Sequence, residues 1–240
     1  MEAHFLNPAG LSFSTDSNFG VAYQTEAPTL ATPSNTYAVV ITDNSPDKIA
    51  AGGLGYVNRR TSTTNNVTYD QDFSLDLATK IVPTISAGIQ GHTLIRANSN
   101  GPNYTKYNLS AGLMVLPKPW LGFSLVFYDM VNDPDVQLIP ITAIGAHVII
   151  MDIMRIRADV TQPQKLNPTG GGTLNLGMEL DGGSGFLFRF GGDWDTVNAV
   201  TYWTAGLSWE GPRLSVAYAF RNNVMVEGDT TQTFQGWLSF

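Results

Sequence analysis

The sequence predicts an all-β protein, a transmembrane up-and-down antiparallel β-barrel of fourteen strands, with twelve as the fallback count. Apolar and polar residues alternate with period two along most of the chain, which is typical of strands with one apolar face. Short connections alternate with longer polar ones, as in barrels that have short periplasmic turns and longer extracellular loops. The most apolar stretch, 136–151, contains Pro140 and His147 and is shorter than the ~18 apolar residues of a spanning helix. A chain of this kind crosses a bilayer with strands.

The clearest alternation lies over 67–80. An apolar face there opposes a polar face: Val67, Tyr69, Phe73, Leu75 and Leu77 against Thr68, Asp70, Asp72, Ser74, Asp76 and Lys80. The pattern recurs at 106–115, 121–128, 154–160, 173–180 and 186–191. In order along the chain, we predict strands over 17–26, 35–43, 48–60, 67–80, 84–97, 104–116, 119–130, 137–149, 153–162, 173–181, 184–194, 199–209, 212–222 and 231–240.

The predicted connections fall into two classes. Six are tight turns, at 45–47, 82–83, 117–119, 151–152, 181–183 and 210–212. Seven are longer polar loops, at 28–34, 62–66, 98–103, 132–136, 162–172, 193–198 and 222–230. An even number of strands with this alternation places both termini at the turn side of the barrel, which is the periplasmic side.

Composition excludes several classes of protein. The 240 residues carry 43% hydrophobic and 14% charged side chains, and the net charge of −7 without a basic run argues against a nucleic-acid partner. The chain has no cysteine and three histidines, so we expect no disulfide, no metal site and no cofactor. It opens without a basic and apolar leader, and a barrel therefore implies that a signal peptide has been removed.

A soluble antiparallel sandwich or barrel is the alternative fold. Two features favour the membrane barrel. The polar face is rich in glycine, serine and other small residues instead of lysine and glutamate, and aromatic residues fall near strand ends, as in interfacial girdles: Tyr56, Tyr69, Tyr107, Trp120, Tyr202, Trp203, Trp209 and Trp237.

The residues at each end of the chain resemble those of known outer-membrane proteins. The alternating final strand, 233–240, ends in Phe240 and resembles the C-terminal strand of bacterial outer-membrane β-barrels. Ahead of the first strand stand Asn7, Pro8, Ala9, Gly10 and Leu11. This element in front of a fourteen-stranded barrel resembles the FadL family, outer-membrane transporters for long-chain fatty acids and other hydrophobic compounds.

The resemblance implies a division of the chain. Residues 1–16 would form an N-terminal hatch and 17–240 the barrel. In the family an Asn-Pro-Ala element belongs to a hatch that plugs the lumen and moves to let ligand through, so Asn7, Pro8 and Ala9 would take those places here. Asparagine favours turns and proline fixes φ, while Ala9 and Gly10 permit close approach of the backbone.

Parity along the strands assigns the charged residues to the lumen. We expect the lumen to be lined by Asp70, Asp72, Asp76, His92, Arg96, Lys106, Arg155, Arg157, Glu179 and Arg189. The predicted hairpins place Asp70 opposite or diagonal to Arg96, Asp72 near His92, and Arg155 across from Glu179. They also predict that Arg157 and Arg189 flank Gly177.

These residues predict an acidic wall and a basic wall on nearly opposite sides of the barrel. Such walls create a transverse field that selects small polar solutes. The alternative, given equal weight, is that the charges pair only with neighbours and with water.

The chemistry expected is transport, not catalysis. Ser86, Ser110, His92, Asp72 and Asp76 are residue types that hydrolases use, but no spacing joins them into a catalytic constellation. We expect a bacterial outer-membrane barrel for passive movement of hydrophobic ligands or small polar solutes, in contact with outer-membrane lipid. A structural or partner-binding barrel without an open pore is the alternative. The sequence indicates neither the solute nor the oligomeric state.

Overall fold

The chain folds as a closed fourteen-stranded antiparallel barrel in a computed structural model that describes residues 4, 6–14, 16–28, 32–44, 49–62, 66–131, 139–164, 171–196 and 198–240. A short 3-10 helix, Pro8–Phe13, precedes the barrel. The strands are β1 Asn18–Ala27, β2 Ser34–Asp43, β3 Ala51–Ser62, β4 Val67–Val82, β5 Ile85–Asn98, β6 Tyr104–Lys118, β7 Leu121–Tyr128, β8 Ile141–Ile150, β9 Met154–Pro163, β10 Thr173–Gly183, β11 Phe186–Asp195, β12 Val200–Glu210, β13 Leu214–Asn223 and β14 Thr230–Ser239. The predicted fold class and strand count are confirmed.

Strand boundaries follow the predicted ones to within a few residues. The predicted starts of the third strand at 48 and the eighth at 137 lie outside the described residues, as do the turn at 45–47 and the whole 132–136 loop. Thirteen of the fourteen strands have ten or more residues, and β7 has eight. A tilted strand needs about 9 to 11 residues to cross the hydrocarbon layer, so the thirteen longer strands are long enough to span it.

The barrel closes through the two terminal strands. Strand β1 pairs with β2 on one side and with β14 on the other, where Asn18 lies opposite Ser239 and Gly20 opposite Trp237. Each strand therefore has two hydrogen-bonded neighbours, and the sheet has no open edge.

The outer face of the barrel is apolar. Large apolar side chains are exposed on it, Leu75 by 52% and Leu176 by 42%, together with Phe123, Ile156, Phe188 and Leu238. Residues of the opposite parity, such as Asp72, Ser124 and Asn175, are half-buried on the inner face. Among the described residues, no helix has the length and hydropathy to cross a membrane.

The two ends of the barrel differ in their connections. Short turns join β4 to β5, β6 to β7, β8 to β9, β10 to β11 and β12 to β13, and we call this end the turn end. In the β8 to β9 turn, Met151 and Asp152 have φ of 51° and 58°, the left-handed values of a tight hairpin. Both termini of the barrel lie here, because the Ser239 amide donates at 2.8 Å to the carbonyl of Arg213 in the β12 to β13 turn, and the Phe240 amide donates to the Ser17 carbonyl at 3.0 Å. The opposite end carries the longer connections, and we call it the loop end.

Candidate functional site

The N-terminal segment, residues 4 and 6–14, is built around a capped 3-10 helix. Asn7 has extended backbone, and its side-chain oxygen accepts from the Ala9 amide at 3.0 Å. Pro8 follows in the first position of the helix, where its missing N–H costs nothing. The helix ends where the Ser14 amide donates to the Leu11 carbonyl at 3.1 Å. Phe5 lies outside the described residues.

Polar side chains of the barrel bind the backbone of this segment. The buried Ser86 hydroxyl donates to the Ala9 carbonyl at 2.7 Å, and the Gln90 amide donates to the His4 carbonyl at 2.9 Å. The Tyr128 hydroxyl donates to the Leu6 carbonyl. These side chains have the inward parity of β5 and β7, so the segment lies against the inner face of the wall.

The deepest contact of the segment is made by His4. Its Nδ1 lies 2.5 Å from the Asp76 carboxylate, and both side chains have no exposed surface. Its Nε2 lies 2.8 Å from the Ser74 hydroxyl. A buried carboxylate is costly unless it is paired, and His4 is the side chain that contacts Asp76.

Glycines on the inner face make room for the segment. A Cβ built at Gly88 would lie 2.5 Å from the Ala9 nitrogen, and one at Gly55 would lie 2.0 Å from His4 Nε2. A Cβ at Gly112 would lie 2.1 Å from the Asn7 side-chain oxygen. Larger residues at these positions would clash with the segment, so the three glycines on β3, β5 and β6 form its seat.

Ser74, His4 and Asp76 contact one another in the order of a hydrolytic serine, histidine and aspartate triad, but a substrate could not reach them. The imidazole is fully buried, and none of the three residues lines either lumenal cavity described below. A nucleophile needs space for a substrate beside it. The arrangement holds the segment, and it offers no site for an acyl group.

Two adjoining cavities occupy the lumen beside the N-terminal segment. The inner cavity has a volume of about 440 Å³ and is bounded by Leu6 and by inward residues of β9 to β14. The turn-side cavity, of about 480 Å³, lies toward the turn end and is bounded by Gly10, Phe13 and Ser14 of the segment. Both cavities are lined by a shared set, Arg155, Arg157, Glu179, Arg189 and Gln235.

The acidic residues on β4 each have a basic partner. Asp70 pairs directly with Arg96 across the β4 to β5 ladder and forms an ion pair with it. Asp72 contacts His92 at 3.1 Å, and Asp76 contacts His4. None of the three carboxylates lines either lumenal cavity. The acidic wall therefore contributes less than expected to the transverse electric field across the lumen, because its carboxylates are paired.

His92 also has a second acidic partner. Its Nε2 lies 2.9 Å from the carboxylate of Asp129, which follows β7. Lys106 is half-buried on β6 across from Leu94.

The arginines on the other side of the barrel face the cavities. Arg155 lies across from Glu179 and donates to it at 3.1 Å. Arg157 lies across from Gly177 as the sequence predicted, but Arg189 pairs with Glu179 and not beside Gly177. The prediction for Arg189 was wrong by one inward position, because the hairpin turn lies between Gly183 and Phe186 and not at 181–183 as predicted.

No group of three or more histidine, aspartate and glutamate side chains in the described part of the chain has the geometry of a metal site. Sequence reasoning missed several contacts, namely those of His4 with Asp76, His92 with Asp129, and Arg221 with Asp193 at 2.9 Å. It also missed the glycine seat. The signal for the seat was available, since Gly55, Gly88 and Gly112 all have inward parity on three strands of the same wall.

Comparisons with known proteins support the fold. No protein-family model and no curated protein sequence matches the chain. Among solved structures, the CymD monoaromatic hydrocarbon channel is similar with a TM-score of 0.76 and 11% identity, over 100% of this chain and 92% of that one. A Pseudomonas aeruginosa FadL homologue has a TM-score of 0.69 and 12% identity, over 99% of this chain and 93% of that one.

The Ralstonia pickettii toluene transporter TbuX is also similar, with a TM-score of 0.68 and 10% identity, over 99% of this chain and 92% of that one. The three structures named are described as channels, transporters or their homologues. At these identities the similarity is one of fold. The chain is thus a fourteen-stranded barrel with the fold of the FadL-type channels.

Proposed function

We propose that this protein is a passive channel for small polar molecules in a bacterial outer membrane. The observation that carries the proposal is the pair of adjoining cavities, which share charged lining residues and lie beside the N-terminal segment. A closed barrel with an apolar outer face is the form in which strands cross a lipid bilayer.

The N-terminal segment is the plug of this channel in the proposal. It fills the lumen on the side of β3 to β6, where Ser86, Gln90 and Asp76 hold it. The cavities lie on the other side, along β9 to β14, so the plug narrows the lumen. Residues 1–16 and 17–240 are accordingly proposed as plug and wall.

The lining favours polar solutes over hydrocarbons. The similar structures include a channel for monoaromatic hydrocarbons and a toluene transporter. In this chain the cavities present guanidinium and carboxylate groups of Arg155, Arg157, Glu179 and Arg189. An apolar solute would have to remove water from these groups without replacing their hydrogen bonds, which is costly.

Single-channel conductance in a planar lipid bilayer tests the proposal. We expect the intact chain to give a small conductance and a variant lacking residues 2–14 to give a larger one, because the deletion removes the plug and no wall strand. A matched control replaces residues 2–14 with a glycine and serine linker of the same length. It should conduct like the deletion, because it lacks the His4 side chain that contacts Asp76 and the Asn7 and Pro8 that cap and begin the 3-10 helix.

The alternative is a sealed structural or partner-binding barrel. It predicts that the intact chain, the deletion and the linker variant all insulate the bilayer. If the intact protein conducts and the deletion does not change its conductance, the N-terminal segment is not a plug, but the protein is still a channel. Heat-modifiable electrophoretic mobility would show that each variant forms a barrel.

A further inference from the structure

We infer that the inner cavity is a site for small zwitterions of the amino acid class, molecules that carry an ammonium and a carboxylate a few bonds apart. The inference rests on the proposed channel and names its solute class. It comes from the inward residues of β9, β10 and β11, which pair across the three strands in rows, and from the order of acidic and basic rows along the barrel axis.

The loop-side row of this wall is acidic. Asn175 lies directly across from Asp159 on one side and from Asp193 on the other. The Asn175 amide donates to Asp159 at 2.9 Å, and Asp193 receives Arg221 at 2.9 Å. All three residues of the row line the inner cavity, and its charged members are carboxylates.

The turn-side row has the opposite composition. Glu179 lies directly across from Arg155 and from Arg189 and accepts from both, at 3.1 Å and 2.7 Å. One carboxylate thus stands between two guanidinium groups. The arginine side chains remain 38% and 31% exposed, so part of each faces the cavity.

A recess separates the two rows. The middle row consists of Arg157, Gly177 and Gly191, and it adds a third arginine next to the turn-side row. A Cβ at Gly177 would meet only the Phe190 carbonyl, at 3.9 Å, so the wall is open there. Rows two residues apart along a strand are separated by about 7 Å, so the acidic row lies about 7 Å from the row of Arg157 and about 13 Å from the turn-side row. The acidic row and Arg157 therefore flank one recess along the axis of the barrel, and both line the inner cavity.

This order of charge discriminates between solutes. A simple anion is attracted by the arginines but meets carboxylates at the loop-side row and the exposed Asp152, Asp181 and Glu210 around the turn-side cavity. A simple cation is attracted by the carboxylates but is repelled by the arginines that line the same cavity. A zwitterion places its ammonium toward the acidic row and its carboxylate toward the arginines, so both ends gain. The cavity volume of about 440 Å³ lies within the range of small-molecule sites, about 300 to 1,000 Å³.

Four solutes of matched size test the inference in proteoliposomes at mildly acidic pH. They are alanine as the zwitterion, alaninamide as the cation, lactate as the anion and lactamide as the neutral molecule. We expect alanine to enter about 3- to 10-fold faster than lactamide, corresponding to about 0.7 to 1.4 kcal/mol, and neither lactate nor alaninamide to match alanine.

Single substitutions locate the effect. Asp159→Asn and Arg157→Gln should each lower alanine entry to about the rate of lactamide while leaving lactamide entry unchanged. Arg96→Gln is the matched control, since Arg96 is an inward arginine that lines neither cavity, and it should keep the preference for alanine.

The outcomes separate the inference from the proposed function. If lactamide enters and alanine is no faster, the channel stands and the zwitterion site is overturned. The zwitterion site is overturned as well if Arg96→Gln abolishes the preference as fully as Arg157→Gln does. If none of the four solutes enters, the proposed channel fails and the zwitterion site fails with it.

Discussion

At the scale of single residues, the contact between His4 and Asp76 joins the N-terminal segment to the barrel wall. Both groups are fully buried, and the carboxylate sits in the middle of β4, on a wall otherwise fitted to the segment by Gly55 and Gly88. Removing one partner of a buried polar pair leaves the other unsatisfied, which costs about 1 to 3 kcal/mol.

Asp76→Asn should therefore loosen the segment. The chain has no cysteine, so a single Leu11→Cys substitution at a buried position of the segment gives a clean reporter. We expect a thiol reagent to label it at least about 10-fold faster in the Asp76→Asn background, a change that needs only 1.4 kcal/mol. Asp72→Asn is the control, because Asp72 pairs with His92 and not with the segment. Equal labelling in all three backgrounds would show that the pair does not anchor the segment.

At the scale of the strand, the period of two determines what each position tolerates. In β10, Leu176 faces outward and is 42% exposed, whereas Asn175 faces the inner cavity. A lipid-facing arginine costs about 2 to 4 kcal/mol at the bilayer midplane and less toward the interfaces, while a lumenal arginine remains in water.

Leu176→Arg should destabilise the barrel by about 2 kcal/mol, and Asn175→Arg should cost much less. Equilibrium urea unfolding in phospholipid vesicles measures both values, and the neighbouring positions serve as controls for each other. Similar costs for the two substitutions, or a larger cost for Asn175→Arg, would contradict the assignment of faces.

At the scale of the whole molecule, the charges that face the open lumen are concentrated on one wall. The acidic residues of β4 lie seven strands around the ring from β11 and are engaged with Arg96, His92 and His4. The arginines of β9 and β11 line both cavities. Ion selectivity should therefore depend on the arginine wall more than on its acidic counterpart.

The triple variant Arg155→Gln, Arg157→Gln and Arg189→Gln should shift selectivity toward cations. Reversal potentials in a salt gradient measure the shift, which should shrink between 0.1 M and 1 M salt because the Debye length falls from about 10 Å to about 3 Å. Arg96→Gln, whose arginine lies outside both cavities, should leave the reversal potential nearly unchanged. If the triple variant keeps the selectivity of the parent protein, the three arginines do not line the permeation path.

Local sequence determined the fold because its signals are local. Alternation specifies a strand and its faces, turn residues specify hairpins, and hairpins between consecutive strands fix an up-and-down order. The strand count, the sides of Leu176 and Asn175, and the pairing of Arg155 with Glu179 all follow from these rules. Where the local rule failed, at Arg189, the cause was the position of the β10 to β11 turn, which lies between Gly183 and Phe186, later than predicted.

Only the tertiary structure decided how the lumen is filled. The contact of His4 with Asp76 joins residues 72 positions apart, and the contact of Leu6 with Tyr128 joins residues 122 positions apart. No pattern in either segment specifies the other, because these contacts join residues that are distant in the sequence and meet only inside the closed ring. The same closure placed the segment on the side of β3 to β6 and left the arginine wall facing the cavities. The alternation of apolar and polar residues in each strand therefore specifies the wall of the barrel. The lining of the lumen depends on which inward side chains the closed ring brings together.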